Sequence, residues 1–289
     1  MISNSMKNRT CLITGANSGI GYETARALGY MGAKLILVCR NPDKGQAALD
    51  SLRMRTGNDD MELMIADLAS LHQVEELAEK VRARHNVLHV LINNAGLLQG
   101  RRELTEDGYE TTFAVNHLAH YVLTLRLLDL LKAGSPSRII NVSSIVHLIG
   151  SIRFDDPFFE KKSYRAMSAY AQSKLANILF TYKLARLLEG SGITVNAMHP
   201  GVVATNFGHA GPLWYKLAKV FARPFYIRPQ NGARTLIHLA ASPQVENVTG
   251  TYFVRKRSVP TLPVSYDTSL QDRLWDISGQ MTGVRWHNG

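Results

Sequence analysis

The chain has 289 residues, with 33 Lys+Arg against 23 Asp+Glu and a formal net charge of +10. Its 45% hydrophobic and 19% charged content excludes a disordered, collagenous or coiled-coil chain. The basic balance points to an anionic partner, without choosing among nucleic acid, a membrane surface and a phosphorylated small molecule.

Met1 to Arg9 is polar and holds no apolar h-region, so no signal peptide is expected. The longest charge-free run, Gly190 to Tyr215, contains five glycines and two prolines, which argues against a transmembrane helix. A cytoplasmic chain is the default reading. The two cysteines, Cys11 and Cys39, exclude a disulfide framework and a cysteine zinc site. They fall at opposite ends of two predicted strands, too far apart to bridge if those strands run parallel.

Short apolar runs recur at Thr10–Thr14, Lys34–Cys39, Met61–Ala66, His89–Ile92, Arg138–Val142, Ile193–Ala197 and Thr251–Val254. Unbroken apolar runs suit strands buried on both faces, as in a parallel sheet. Helical patterns lie between them, at about Ile20–Met31, Asp43–Arg55, Leu71–Arg84, Glu106–Leu131, Ala169–Leu188 and Gln230–Ala241. A last helix signal follows Asp267 or Thr268 as N-cap. Strict alternation predicts an α/β, Rossmann-like, doubly wound parallel sheet of about seven strands with helices on both faces. That sheet uses most of the length, so residues 1–289 read as one domain.

The first strand runs into Gly15-Ala16-Asn17-Ser18-Gly19-Ile20-Gly21, and a helix begins there. Glycines at these positions allow a tight turn and close approach of backbone to a pyrophosphate, which the helix N-terminus then attracts. The second strand ends on Arg40, with no acid before Asp43. An acid there serves the ribose hydroxyls of NAD, whereas an arginine can pair a 2′-phosphate. NADP(H) is therefore the preferred cofactor and NAD(H) the alternative.

These features join Asp67-Leu68, Asn93-Asn94-Ala95-Gly96, Asn116, Asn141-Val142-Ser143-Ser144, Tyr170-Ala171-Gln172-Ser173-Lys174, and Pro200-Gly201 followed by Val203 and Thr205. In this order the set resembles the classical short-chain dehydrogenase/reductase family over nearly the whole chain. The resemblance implies hydride transfer between a nicotinamide and an alcohol or carbonyl. It places Asp67 and Leu68 at the adenine, Asn93 to Gly96 at the adenosine ribose, and Pro200 to Thr205 at the nicotinamide. Residues 1–142 then form mainly the dinucleotide half. Residues 143–289 form the catalytic half, with a substrate lid at about 206–229. The basic marker that NADP-preferring members carry before the second glycine is absent, since Ser18 stands there.

Tyr170 and Lys174 are four apart on a helical stretch, so they share a face. A tyrosine titrates near 10, and a close ammonium stabilises the phenolate. Tyr170 is thus the expected general acid/base, with Lys174 supporting it. Ser144 is expected to donate to the substrate oxygen; strand alternation lets only one of Ser143 and Ser144 face the pocket. Family analogy gives Asn116 a water that links Lys174 to solvent. His117 and His120 lack a third ligand at a suggestive spacing, so no metal is expected.

The 26 positions between Ser144 and Tyr170 exceed the commonest family spacing. With the run Ala169 to Phe180 and the tail Arg273-Leu274-Trp275-Asp276-Ile277-Ser278, the layout is similar to the retinol dehydrogenase branch. That resemblance implies a lipophilic alcohol, aldehyde or ketone. The stretch Pro212 to Pro224 carries Leu213, Leu217, Val220 and Phe221 on one face, and Lys216, Lys219 and Arg223 on another. It reads as a self-packed lid or as a peripheral membrane contact. No nucleic-acid motif is found, and family analogy implies a homo-oligomer. The alternative function is a catalytically idle dinucleotide-binding regulator on the same fold.

Overall fold

The structure, a computed structural model, describes residues 5–201 and 228–286. The strands are β1 (Thr10–Thr14), β2 (Lys34–Cys39), β3 (Met61–Ile65), β4 (Val90–Asn93), β5 (Ser137–Val142), β6 (Ile193–His199), β7 (Thr251–Val254) and β8 (Arg257–Ser258). They form one sheet in the order β3-β2-β1-β4-β5-β6-β7-β8. The first seven are parallel, and β8 returns antiparallel to β7.

The helices are α1 (Gly19–Tyr30), α2 (Pro42–Thr56), α3 (Leu71–Arg84), α4 (Thr111–Phe113), α5 (Ala119–Arg126), α6 (Leu128–Ala133), α7 (Ala166–Leu187), α8 (Pro229–Ala241) and α9 (Thr268–Thr282). Strand alternation sorts them into two layers. Cys11, Ile13, Leu35 and Leu37 pack against α1, α2 and α8, while Leu12, Ile36 and Val38 pack against α3, α5, α6 and α7. Double-sided burial explains why these strands read as unbroken apolar runs. In the register, Cys11 pairs with Leu35, so Cys39 lies at the far end of β2; both thiols are free and buried.

The sheet of about seven strands expected from sequence is present, with a short eighth strand at its edge. β8 is two exposed residues, Arg257 and Ser258, with no apolar run to announce it. The helix expected from Glu106 starts at Thr111, because Gly108 takes a left-handed turn and the Glu110 carboxylate accepts from the Thr112 and Phe113 N–H groups. It is also interrupted. Ala114–Leu118 is a π turn carrying Asn116, and the helix breaks again at Leu127.

The C-terminal tail folds as expected. Asp267 accepts from the Ser269 and Leu270 N–H groups and opens α9. That helix lies along α7, where Trp275 stacks on Phe180 at 5.9 Å. No helix among the described residues is long and apolar enough to cross a membrane. The lid expected at about 206–229, with Lys216, Lys219 and Arg223, lies almost entirely outside the described residues.

Candidate active site

The strand order turns between β1 and β4, and a crevice opens there beyond the carboxyl ends of the strands. It widens into a cleft of about 580 Å³, a volume in the range of small-molecule and cofactor sites.

The glycine turn forms the floor. Gly15 and Gly19 have φ of +66° and +58°, which favours glycine. A Cβ at Gly21 would stand 2.3 Å from the Gly15 carbonyl oxygen, so the turn closes only on glycine. The Gly15 and Ala16 N–H groups donate to Val38 O. Asn94 Nδ2 donates to Thr14 O at 2.7 Å and ties the turn to the end of β4. Ser18 is the N-cap of α1, but its side chain makes no capping bond, and the first turn carries no acid. The N–H groups opening α1 therefore face the cleft with partial positive charge and no side-chain acceptor among the described residues. These features fit a dinucleotide pyrophosphate.

Asn17, Ile20, Arg40, Asp67, Leu68, Ala95, Gly96, Pro200 and Gly201 line the same cleft. Arg40 is largely exposed and lies 3.8 Å from Asp67, so a second anion can compete for it. Val203 and Thr205 lie outside the described residues. Asn93 is not brought to the cleft. It is buried, and its Nδ2 donates to Thr124 Oγ1 and Asn141 Oδ1, which ties β4 to β5 and α5. As the last residue of β4 it points into the layer beneath the sheet, while Asn94 turns outward.

Tyr170 and Lys174 share one face of α7 and both line the cleft. Lys174 Nζ is 5.4 Å from the Tyr170 ring centroid and donates to Val142 O at 3.0 Å. Burial pushes the Lys174 ammonium down to about 7. Ser143 and Ser144 differ as strand alternation requires. Ser143 Oγ donates to Lys174 O at 2.7 Å, so its hydroxyl is committed. Ser144 Oγ accepts from the Val146 N–H at 3.3 Å, which leaves its own hydrogen for a ligand.

Asn116 is buried in the π turn between α4 and α5. Its side chain accepts from the Leu97 N–H and donates to Leu97 O and Ser173 Oγ, clamping the loop after β4 to α7. Gly96 fits between the groups on that side: a Cβ there would lie 3.1 Å from Asn116 Oδ1 and 3.4 Å from Lys174 Nζ.

Sequence reasoning passed over two organisers. Thr14 Oγ1 accepts from the Asn94 and Ala95 N–H groups. His120 bridges Thr14 Oγ1 and Asn116 O at 3.1 and 3.2 Å. Burial lowers the His120 imidazole to about 3, so it is neutral. The same holds for His117, whose Nε2 lies 2.9 Å from Ser278 Oγ. Among the described residues no three His, Cys, Asp or Glu side chains are grouped to hold a metal.

The apolar wall includes Leu97, Leu98, Ile145, Val146 and Met167. The long segment before Tyr170 contributes little more than Met167 to it. That segment is pinned behind the wall: Tyr164 donates to Gln99 O and Glu110 Oε1, and Gln172 reaches Arg153 N and Pro157 O.

The family model for short chain dehydrogenases matches residues 9–215. The chain belongs to this family. Human retinol dehydrogenase 14 is 43% identical over 96% of this chain and 88% of its own length. Human polyprenol dehydrogenase is 38% identical over 96% and 86%. Among solved structures, an uncharacterised protein from Mycobacterium paratuberculosis superposes with a TM-score of 0.80 at 32% identity, over 98% and 96% of the two chains. The NADP complex of Pseudomonas aeruginosa RhlG gives 0.70 at 25% identity, over 88% and 96%. As a short-chain dehydrogenase the protein is an oxidoreductase of the retinol dehydrogenase-like branch.

Proposed function

We propose that the protein interconverts a lipophilic alcohol and its aldehyde or ketone with NADP(H), Tyr170 serving as general acid/base. The observation that carries this is the meeting of Tyr170, Lys174 and the free Ser144 hydroxyl with the glycine turn in one cleft. A bound nicotinamide supplies or accepts the hydride. The protein's part is to orient the carbonyl and move a proton.

Ser144 Oγ–H donates to the substrate oxygen and holds it beside Tyr170. In reduction the Tyr170 phenol gives its proton to that oxygen, and in oxidation the phenolate takes it. Lys174 lies beside the ring, so its positive charge favours the phenolate. Asn116 keeps the loop after β4 at the distance this geometry needs. Arg40 would pair the 2′-phosphate, since its only ion pair among the described residues is the long contact to Asp67.

The substrate class follows from the mouth. Ile145, Leu148, Ile149 and Met167 are all more than 40% exposed; Ile145 and Met167 line the cleft itself. Retinol and polyprenol, named in two relatives, are apolar isoprenoid alcohols of the kind this wall suits.

A turnover panel tests the reading: NADPH or NADH with short polar, long apolar and isoprenoid aldehydes. NADPH with apolar aldehydes is expected to give the highest kcat/KM. Preference for NADH or for short polar aldehydes would overturn the corresponding part.

A further inference from the structure

Behind Ser144 lie three buried polar atoms with no hydrogen-bond partner among the described residues: His147 Nε2, His199 Nδ1 and Tyr252 Oη. Such atoms are rare in folded proteins, and each calls for an explanation. These three belong together. His147 packs edge-on against Tyr252 at 5.0 Å between ring centroids. Tyr252 is paired with Ala197 and Val254 with His199, so Tyr252 and His199 lie on one face of the sheet as diagonal neighbours. All three residues are more than nine-tenths buried, and His199 also reaches the cleft wall.

Their valences are complementary. His147 Nδ1 lies 2.7 Å from Ser144 O, which can only accept, so Nδ1 carries the hydrogen. Nε2 of the neutral ring is then a pure acceptor. Tyr252 Oη is a donor. His199 Nδ1 accepts when the hydrogen is on Nε2. A single water that donates twice and accepts once satisfies all three, and three partners is the usual number for a buried water.

We propose that His147, His199 and Tyr252 share one buried water, and that this node holds His147 in the tautomer that positions Ser144. Ser144 O receives both the imidazole Nδ1–H and the His147 backbone N–H, at 2.7 and 3.1 Å. The backbone of Ser144 is thereby fixed, and with it the direction of Oγ. His147 is a positioning residue; it acts through Ser144 and touches no reacting atom. The inference rests on the reading of Ser144 as the donor to the substrate oxygen.

Tyr252→Phe in the full chain decides it. A dry, unpaired hydroxyl is costly, so its removal leaves stability equal or higher; a hydroxyl that anchors a water lowers stability on removal. The expected result is a lower denaturation midpoint, with kcat down about five- to tenfold, the loss of roughly one hydrogen bond. KM and cofactor Kd are expected within about twofold of wild type, because the ground-state binding contacts are intact. His147→Asn, which can still donate to Ser144 O, is expected to keep more kcat than His147→Ala. Tyr252→Phe and His147→Ala are expected to be less than additive.

An unchanged or raised midpoint with unchanged kcat would overturn the proposal. If Tyr252→Phe does not fold, 15N spectra of histidine-labelled wild type decide. The Nδ1–H tautomer at His147 with a hydrogen-bonded Nε2 supports the node, and the Nε2–H tautomer overturns it. The midpoint and the spectra are independent of turnover. A wild type inactive on every carbonyl would therefore sink the proposed function while leaving the node decided.

Discussion

Lys174 is a buried cation: burial removes water from its ammonium and lowers it to about 7. The unfolded chain keeps this lysine near its ordinary value of about 10.4. Between the two values the unfolded state binds more protons than the folded one, so folding becomes more favourable as pH rises. In the cofactor-free protein, stability is therefore expected to climb from pH 7 to 9 more steeply in wild type than in Lys174→Met. Urea melts across that range check this, and parallel profiles would contradict it. Arg40 gives a second prediction at this scale. Arg40→Asp is expected to cut the NADPH over NADH preference in kcat/KM at least about tenfold, the cost of losing a charge-assisted contact and gaining repulsion. Unchanged discrimination would show that Arg40 does not read the 2′-phosphate.

Among the elements, the turn between β1 and α1 has least tolerance. Gly21→Ala places a methyl 2.3 Å from Gly15 O and 2.6 Å from Asn94 Nδ2, both held by the β4 end. Cofactor Kd is expected to rise at least about tenfold, with about 1–3 kcal/mol of stability lost to overpacking. Calorimetric titration and thermal melting measure the two effects, and wild-type affinity would contradict the account. The start of α4 is the other sensitive place. Glu110 is buried; its carboxylate caps two N–H groups and accepts the Tyr164 hydroxyl, joining the long segment before Tyr170 to the loop after β4. Glu110→Ala is expected to cost about 2–3 kcal/mol in urea unfolding, combining a lost cap with a stranded hydroxyl. A change under 0.5 kcal/mol would show that the cap is dispensable.

The whole molecule explains which parts of it were legible in sequence. Parallel strands covered on both faces leave unbroken apolar runs, so β1 to β7 could be read directly. β8 is exposed and two residues long, so no pattern marks it. The cleft residues were legible as motifs because each sits at a strand end or on one helix face. Asn93 was misplaced because a motif gives composition and not side-chain direction, and direction depends on where β4 ends. Thr14 with His120, and His147 with Tyr252, meet across more than a hundred positions; such pairs leave no local signal.

Net charge is also a property of this scale. Arg228, Arg234, Arg255, Lys256 and Arg257 are exposed, and none makes an ion pair among the described residues. These five cations contribute to the opening +10 with no carboxylate at ion-pair distance in that set.

In the proposed reaction Tyr170 moves the proton, in a site that the rest of the chain assembles. Replacing Tyr170 with Phe removes one oxygen from that site. Steady-state turnover of an apolar aldehyde with NADPH, measured beside NADPH binding by fluorescence, separates chemistry from assembly. Turnover is expected to fall at least about a thousandfold, within the scale of general acid catalysis, while NADPH Kd stays within about threefold of wild type. Turnover above a tenth of wild type with intact binding would contradict this role of Tyr170.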